Sequence, residues 1–316
     1  MAALAKILVP VLLGPTASGK SAIAQSVCER LGCDLLSCDS RQIYRHMDIG
    51  TAKPSPEDRA RVRHWMVDVV DPGERYSAFA FARDACALIR ERAAQGKRVM
   101  VCGGTGLYFQ ALCAGLGPQA PEDPALREKY KALAAAQGRQ AVYNELLAVD
   151  PVTAAASHAS NLQRNIRALE VYHATGTPLS ELKKRAAGPE DIAFDVMVLS
   201  HDRETLYRRI DSRVDTMIED GLLNEFHSLL RQGYDQRSPG LLCVGYREFF
   251  AFDRGEATLE QAVDKIKQDT RNYAKRQITW FRHQVLGREV VAAPCASETV
   301  MSQVKEFCGR LSGRFL

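Results

Sequence analysis

The chain has 316 residues, of which 46% are hydrophobic and 25% charged, and its formal net charge is +4. This composition excludes a disordered or fibrous protein and is typical of a globular chain with one large domain or two ordinary ones. The longest apolar run, at residues 7–13, is too short to span a membrane, and the N-terminus lacks the pattern of a secretory signal. We therefore expect a cytoplasmic protein without a membrane partner. The nine cysteines form no CxxC pair and no zinc-finger spacing, so we expect free thiols.

The first part of the chain alternates between strand and helix patterns. Strands are predicted at residues 7–13, 34–37 and 99–102, and helices at 20–31, after Ser55-Pro56, and from Ser77 to Gln95. Ser55 and Ser77 are expected to cap their helices, and Gly96 to end the second. Pro10 interrupts the first strand pattern, which predicts a place near the strand's start or at a sheet edge. The alternation favours a parallel sheet covered by helices.

A proline-rich stretch marks a change of pattern after this alternating part. Residues 124–185 are wholly helical in pattern, a buried strand returns at 194–199, and helical patterns then continue almost to the end. We predict an α/β core at residues 1–117 and 191–316, interrupted by an all-helical insertion at residues 118–190.

The motif G-x-x-x-x-G-K-[ST] stands between the first predicted strand and the helix after it. Its residues are Gly14, Pro15, Thr16, Ala17, Ser18, Gly19, Lys20 and Ser21. In a P-loop the glycines let successive N–H groups converge on a phosphate, the lysine reaches the outer phosphate and the serine holds magnesium. The motif predicts a P-loop NTPase-like parallel sheet with helices on both faces, and a pyrophosphate site with Mg²⁺ at Ser21. It does not define the reaction.

Two further segments follow the next predicted strands of the core. Asp39 follows the second strand, at the edge where open α/β sheets place their ligands. Its carboxylate could hold magnesium in a kinase-like reaction, act as a general base, or only cap a turn. The third strand is followed by residues 103–106, Gly-Gly-Thr-Gly, where small residues would allow close approach of a ligand and Thr105 offers a hydroxyl.

Basic residues are concentrated near the end of the chain, between residues 265 and 288. They are Lys265, Lys267, Arg271, Lys275, Arg276, Arg282 and Arg288, with Asp269 as the only acid and with Tyr273, Trp280 and Phe281 interleaved. The pattern favours a surface that follows RNA phosphates and stacks bases, or else a solvated amphipathic helix with its aromatic residues in the core. Gln163, Arg164 and Arg167 form a second, smaller basic face.

Taken together, these motifs resemble the bacterial tRNA dimethylallyltransferases, also called tRNA isopentenyltransferases. The matching segments are GPTASGKS at 14–21, DSRQIYRHMDIGTAKP at 39–54, DVVDP at 68–72, YSAFAFARDA at 76–85, GGTGLYFQAL at 103–112, RALEVYHATGTPLSEL at 167–182, VGYREF at 244–249 and RNYAKRQITWFR at 271–282. The resemblance covers nearly the whole chain. The chain departs from the family pattern at His64-Trp65 and at residues 158–161, which concerns local helix geometry rather than the reaction.

The resemblance implies a function for the residues singled out above. The P-loop would hold the pyrophosphate of dimethylallyl diphosphate, and Lys20, Ser21, Mg²⁺ and Arg213 would stabilise the charge that develops on it. Asp39 would take a proton from the 6-amino group of an adenine in tRNA, and Thr105 would help to position that base. The acceptor would be the adenosine immediately 3′ of the anticodon, flipped out of its stack.

The resemblance also implies contacts with the anticodon stem-loop of tRNA. The residues predicted to make them are Asp39, Ser40, Arg41, Gln42, Arg127, Gln163, Arg164, Asn165, Ile166, Arg167, Cys243, Val244, Gly245, Tyr246, Arg247, Arg271, Lys275 and Arg276. We expect a monomer. Two alternatives remain at this point, namely a P-loop kinase that transfers phosphate from ATP to a small acceptor, and a catalytically inert tRNA-binding module. A GTPase is disfavoured because the chain has no Asn-Lys-x-Asp segment.

Overall fold

The computed structural model describes residues 6–117, 121–285 and 290–292 of the chain. A parallel sheet of six strands runs in the order β3-β2-β4-β1-β5-β6. The strands are β1 (Ile7–Leu13), β2 (Cys33–Cys38), β3 (His64–Trp65), β4 (Arg98–Gly103), β5 (Ile192–Ser200) and β6 (Val290–Ala292). The central strands are buried apolar runs, as expected for a sheet covered on both faces.

The chain divides into two compact units, Met1–Leu112 with Pro189–Leu316, and Cys113–Gly188. In chain order the helices of the first unit are α1 (Lys20–Leu31), α2 (Pro56–Arg61), α3 (Ala78–Ala94) and α4 (Gly106–Ala114), which runs two residues beyond this unit. The second unit contains α5 (Pro124–Gln137), α6 (Arg139–Val149), α7 (Pro151–Ala155), α8 (Leu162–Thr175) and α9 (Leu179–Lys184). The first unit then resumes with α10 (Arg203–Glu219), α11 (Leu222–Arg231), a 3₁₀ turn (Gly240–Leu242), α12 (Phe249–Asp253) and α13 (Leu259–Gln284).

The order of the strands determines where the helices lie. From β1 the chain moves through α1 to β2, towards the β3 edge, and it returns through α3 to β4. Because such crossovers are right-handed, α1 and α3 cover opposite faces of the sheet. Residues Ile23 and Val27 of α1 pack with Leu12, Met100 and Leu199 from three strands. The predicted α/β fold with helices on both faces is therefore confirmed.

Adjacent strands β1 and β4 define the switch point of this sheet. The chain leaves β1 towards one edge and leaves β4 towards the other, so the connections diverge where these strands end. Open α/β sheets bind their ligands in the crevice that this divergence creates. The loop with the P-loop motif follows β1, and the loop at residues 103–106 follows β4.

Several local predictions are confirmed and others are wrong. Ser55 forms a capping box with Asp58, and the Ser77 hydroxyl accepts a hydrogen bond from the Ala80 amide. Pro10 is neither near the start of its strand nor at a sheet edge, since it lies in the middle of the central strand β1. The fold tolerates it because pairing with β4 begins only at Val11, which leaves Pro10 paired on one side alone.

Two strands were not predicted from the sequence. His64 and Trp65, expected to concern helix geometry, form the edge strand β3 instead, and the Trp65 indole donates a hydrogen bond of 2.8 Å to Asp34. The strand β6 lies where helical patterns were predicted to continue. Neither strand exceeds three residues, which is too short for an alternating pattern to be recognised.

The second unit is an all-helical bundle with its own core. Tyr130, Val142, Leu146 and Leu169 are buried together in it. Glu170 is buried too and pairs with Arg127 and Arg167. In the described parts of the chain no helix is both long and apolar enough to cross a membrane.

Candidate functional site

The loop between β1 and α1 has the backbone conformation that a phosphate site requires. Ala17 and Gly19 are in the left-handed region, with φ of 60° and 82°. The Gly14 amide donates to the Gly103 carbonyl at 3.3 Å, which ties this loop to the end of β4. Lys20, the first residue of α1, is buried, and its Nζ donates to the Pro15 carbonyl at 3.1 Å. A compact cation therefore lies at a helix N-terminus beneath the loop, where negative charge is favoured.

Side chains that are far from this loop in the sequence form hydrogen bonds with its backbone amide and carbonyl groups. Arg209 Nε donates to the Ala17 carbonyl at 2.8 Å, and His201 Nε2 lies 2.8 Å from the Ser18 carbonyl oxygen. The Thr16 amide donates to the side-chain oxygen of Gln277 at 2.8 Å. These bonds fix the loop conformation from the protein side, so binding a ligand there costs little reorganisation.

Asp39 and Thr105 lie in neighbouring loops that are bonded to each other. Asp39 Oδ1 accepts a hydrogen bond of 2.8 Å from the Arg41 amide, which is the turn-capping arrangement considered as an alternative. Within the described part of the chain, the second carboxylate oxygen accepts no hydrogen bond. The Thr105 hydroxyl accepts from the Ser40 amide at 3.0 Å and lies 3.3 Å from the Ser40 hydroxyl. Asp39 thus caps its turn and still has an oxygen available for a substrate proton.

A cavity of about 300 Å³ brings several of the predicted residues together, although Thr105 is not among the described residues that line it. Lys20 and Ser21 from the P-loop, Asp39 after β2, and Arg213 on α10 all line it. It is also lined by Thr16, Ala17, Arg41, Gln42, Cys243, Val244, Gly245, Arg247, Tyr273, Arg276 and Gln277. The same enclosed space therefore holds cations suited to a phosphate and a carboxylate suited to a proton.

Burial perturbs the ionisable groups around this cavity. It lowers the pKa of Arg213, and the nearby Asp39 carboxylate opposes that change. Burial and then Asp39 raise the pKa of Tyr273 to about 12, with a hydrogen bond to Thr105 acting in the opposite direction. The phenol is therefore protonated at neutral pH and can donate a hydrogen bond. Tyr273 was considered either as a residue that stacks RNA bases or as a core residue of an amphipathic helix, but its position beside Asp39 and Thr105 makes it part of the site.

The glycines after β4 are closely packed against other parts of the protein. A β-carbon added at Gly103 would lie 2.1 Å from the Cys38 carbonyl oxygen. One added at Gly104 would lie 2.5 Å from the side-chain nitrogen of Gln277, and one at Gly106 would lie 2.3 Å from the Trp280 ring. Gly103 nevertheless lines the cavity, so the expectation that a ligand approaches these small residues stays a prediction. They are small because another strand and the helix α13 occupy the space.

The segment from Cys243 to Arg247 contributes to the cavity mainly through its loop. Cys243, Val244, Gly245 and Arg247 line the cavity, whereas the Tyr246 side chain is fully buried and its hydroxyl donates to Glu225. The Glu225 carboxylate also accepts three successive backbone amides, from residues 48–50, at 2.8 to 3.1 Å. Glu225 and Tyr246 therefore shape the cavity wall at Gly50, and any RNA contact at Tyr246 would have to use its backbone.

The basic segment on α13 is partly neutralised by acids. Lys265 pairs with Asp269, Lys267 with Asp215, and Arg271 with Asp211. Over the described length of the helix, Lys275, Arg276 and Arg282 have no ion pair. Arg276 lies 5.8 Å from the centre of the Tyr273 ring. Within the described part of α13, positive charge without an ion pair is thus confined to its C-terminal half, where Arg276 lines the cavity, while Arg288 lies outside the described residues.

Residues in the helical unit that were predicted to contact tRNA differ in exposure. Gln163 and Arg164 are exposed on α8, whereas Asn165 and Ile166 are buried, and Asn165 Nδ2 donates to the His158 carbonyl at 3.1 Å. Arg127 binds Glu122 and Glu170. RNA contact at these positions stays a prediction. The exposed side chains of Gln163 and Arg164 could make it without a rearrangement of the helical unit.

A resident metal would have few protein ligands at this site. Across the described residues there is no group of three or more His, Cys, Asp or Glu side chains arranged to hold a metal ion. Ser21 is exposed at the first turn of α1 and lines the cavity. This fits magnesium, which typically takes one or two protein ligands and completes its shell with phosphate oxygens and water.

The fold and this cavity define an α/β protein of the P-loop class, in which residues of the P-loop motif and the carboxylate of Asp39 line one cavity. The profile of the family described as IPP transferase matches residues 42–284. The protein belongs to this family.

Individual relatives cover almost the whole chain. A tRNA dimethylallyltransferase 2 from Geotalea uraniireducens is 44% identical over 306 residues, which are 96% of this chain and 97% of the relative. The crystal structure of a tRNA isopentenylpyrophosphate transferase from Bacillus halodurans is 34% identical, with a TM-score of 0.70 over 98% of this chain and 97% of that one. A eukaryotic dimethylallyltransferase acting on tRNA is 25% identical, with a TM-score of 0.78 over 96% of this chain and 80% of that one.

Proposed function

We propose that the protein transfers the dimethylallyl group of dimethylallyl diphosphate to the 6-amino group of the adenosine immediately 3′ of the anticodon in tRNA, releasing diphosphate. The observation that supports this best is that Lys20, Arg213 and Asp39 line one cavity. A diphosphate leaving group needs cations, and an adenine amine needs a group that takes its proton. Relatives named as tRNA dimethylallyltransferases over nearly the full length support the same reaction.

On the donor side, the P-loop residues 14–21 would hold the diphosphate. The allylic carbon–oxygen bond weakens as negative charge grows on the leaving group, so groups that bind this charge lower the barrier. Lys20 supplies a point charge at the helix N-terminus, and the Arg213 guanidinium suits two phosphate oxygens at once. Ser21 would hold Mg²⁺, which when bound would neutralise part of the diphosphate charge.

On the acceptor side, Asp39 would accept the proton that leaves the adenine amine. That amine is a weak nucleophile because its lone pair is delocalised into the ring, so removing its proton as the new bond forms assists the reaction. Thr105 is bonded to Ser40 in the loop of Asp39, and the protonated Tyr273 stands beside both. These hydroxyls would orient the base, which must leave its stack to reach so deep a site.

The RNA would lie across the unpaired basic end of α13. Lys275, Arg276 and Arg282 offer charge for phosphates without first breaking an ion pair in the protein. Arg41, Gln42 and the loop at residues 243–247 would then surround the flipped nucleotide, and Gln163 and Arg164 of the helical unit would contact another part of the stem-loop. We further propose that the enzyme is cytoplasmic and that it is a monomer. Light scattering at micromolar concentration would test the monomeric state.

One labelling experiment separates this proposal from its rivals. The enzyme is incubated with radiolabelled dimethylallyl diphosphate or with γ-labelled ATP, with and without tRNA that lacks the modification. We expect label in tRNA only from the allylic donor, at the adenosine next to the anticodon. Label transferred from ATP would indicate a kinase, and tRNA binding without transfer from either donor would indicate an inert binding module.

A further inference from the structure

A glutamine on α13 bridges the two glycine-rich loops of the site. Gln277 is buried, with 6% of its surface exposed. Its side-chain oxygen accepts the Thr16 amide of the P-loop at 2.8 Å, and its side-chain nitrogen donates to the Gly104 carbonyl at 2.8 Å. These two bonds join segments that are far apart in sequence.

The chemistry of the bridge requires an amide. One partner is a backbone N–H, which must meet an acceptor, and the other is a backbone carbonyl, which must meet a donor. Glutamine offers both on a single planar group. A glutamate could accept the Thr16 amide but would face the Gly104 carbonyl with a second acceptor, and a methionine of similar length would satisfy neither.

The backbone at Gly104 is shaped to admit this side chain. A β-carbon at Gly104 would lie 2.5 Å from the Gln277 nitrogen and 3.2 Å from the Gly14 carbonyl oxygen. The φ of Gly104 is not in the left-handed region, so glycine is needed here for space rather than for conformation. The Gln277 side chain can therefore make this bridge only because residue 104 is a glycine.

We propose that Gln277 is a positioning residue of the transfer reaction, which aligns the donor loop with the loop that carries Thr105. Thr16 belongs to the loop that would hold the diphosphate, and Gly104 directly precedes Thr105 on the acceptor side. Displacing reacting groups by about 1 Å can cost on the order of 10²-fold in rate. Gln277 thus acts on the distance between donor and acceptor, an action distinct from RNA binding by the basic residues of its own helix.

The test compares Gln277→Met with wild type in single-turnover experiments at saturating donor and tRNA. Loss of two buried hydrogen bonds and of the alignment should lower the transfer rate about 10- to 100-fold. The affinity for tRNA should stay within about twofold, because no phosphate contact is removed. Gln277→Glu should in addition raise the KM for the donor, since a carboxylate would stand beside the diphosphate. Gln232→Met is the matched control, because the Gln232 side chain is exposed and its amide hydrogen-bonds only the Ser228 hydroxyl.

Two results would overturn the proposal. One is a folded Gln277→Met enzyme with lowered thermal stability but a normal single-turnover rate, which would make the residue purely structural. The other is weakened tRNA binding with a normal rate at saturation, which would make it an RNA contact. Gly104→Ala, which would displace the Gln277 amide while leaving the amino-acid sequence of α13 unchanged, gives a second measurement if the methionine variant does not fold. A normal rate in that variant would equally reject the proposal.

Discussion

The loops after β1 and β4 are both rich in glycine and leave neighbouring strands at the same edge, yet their glycines serve different ends. In the first loop, Gly19 adopts a left-handed conformation, and the next residue, Lys20, lines the cavity. In the second loop, the glycines at 103, 104 and 106 lie outside the left-handed region and a β-carbon on each would meet protein atoms, while Gly103 also lines the cavity. Glycines in two turns at the same edge of a sheet can therefore serve the backbone conformation, as at Gly19, or close packing against another strand and a helix, as at residues 103–106.

The largest effect is expected at Asp39, whose loop contacts the second of these loops through Ser40 and Thr105. Asp39→Asn keeps the shape and can still cap the turn, but it cannot accept a proton. A general base typically contributes ~10²–10⁴-fold, so the single-turnover rate should fall in that range while tRNA affinity changes much less. A near-normal rate in the folded variant would leave Asp39 as a turn residue and would assign the proton to water or to the diphosphate.

The next largest effect is expected in the first loop, at Lys20. Lys20→Ala removes the cation beneath the bound diphosphate, and loss of one such stabilising group costs about 10²–10³-fold in rate. The KM for the donor should also rise, whereas tRNA binding should not change. If the steady-state kinetics of the Lys20→Ala variant match those of wild type, the P-loop takes no part in the reaction.

In the second loop a substitution should reduce stability before it affects donor binding. Gly106→Ala places a β-carbon in the Trp280 ring, and overpacking of this kind costs about 1–3 kcal/mol. Urea unfolding should show this loss, with the donor KM of the folded enzyme little changed. Gly73→Ala is the control, because its nearest neighbour, Tyr234, would lie at an ordinary 3.6 Å. Equal stability of the two variants would contradict the packing explanation.

The smallest effect concerns the helix that contacts both loops, α13. Lys275→Ala with Arg276→Ala should weaken tRNA binding and lower the slope of log affinity against log salt by about 2, one for each phosphate that the protein no longer neutralises. The matched pair, Lys265→Ala with Lys267→Ala, removes the same charge from positions already paired with acids and should change the slope less. Titrations at several salt concentrations measure both. Equal slopes for the two pairs would indicate that RNA does not distinguish the halves of α13.

Much of the core was predictable because its signals are local. The strand β1 is an apolar run followed directly by the P-loop motif, and α3 carries its cap at Ser77 and its stop at Gly96. Such features depend on residues a few positions apart, so the sequence alone contains them. The same holds for Asp39 and Thr105, each of which stands within three residues of the end of a predicted strand.

The parts that escaped prediction depend on residues far apart in the chain. Gln277 is indistinguishable in sequence from a solvated glutamine, and its partner Thr16 is 261 positions away. Glu225 accepts amides from residues 48–50, which lie 175 to 177 positions away. The neutralisation of Arg271 by Asp211 likewise appears only when α10 and α13 are packed. Such contacts are properties of the fold, and no short window of sequence encodes them.

The way the helical unit begins and ends has a consequence for how the chain folds. A β-carbon at Gly188 would lie 2.0 Å from the Cys113 carbonyl oxygen, and one at Gly115 would lie 2.6 Å from the Ala187 carbonyl oxygen. The two chain segments that enter and leave the unit therefore run against each other, as the ends of a closed loop do. Closing a flexible loop costs only about 0.6 kcal/mol more for each doubling of its length, so the sheet can pair β4, β1 and β5 whether or not residues 113–188 are folded. Replacing that unit by a short turn should leave a sheet that still assembles.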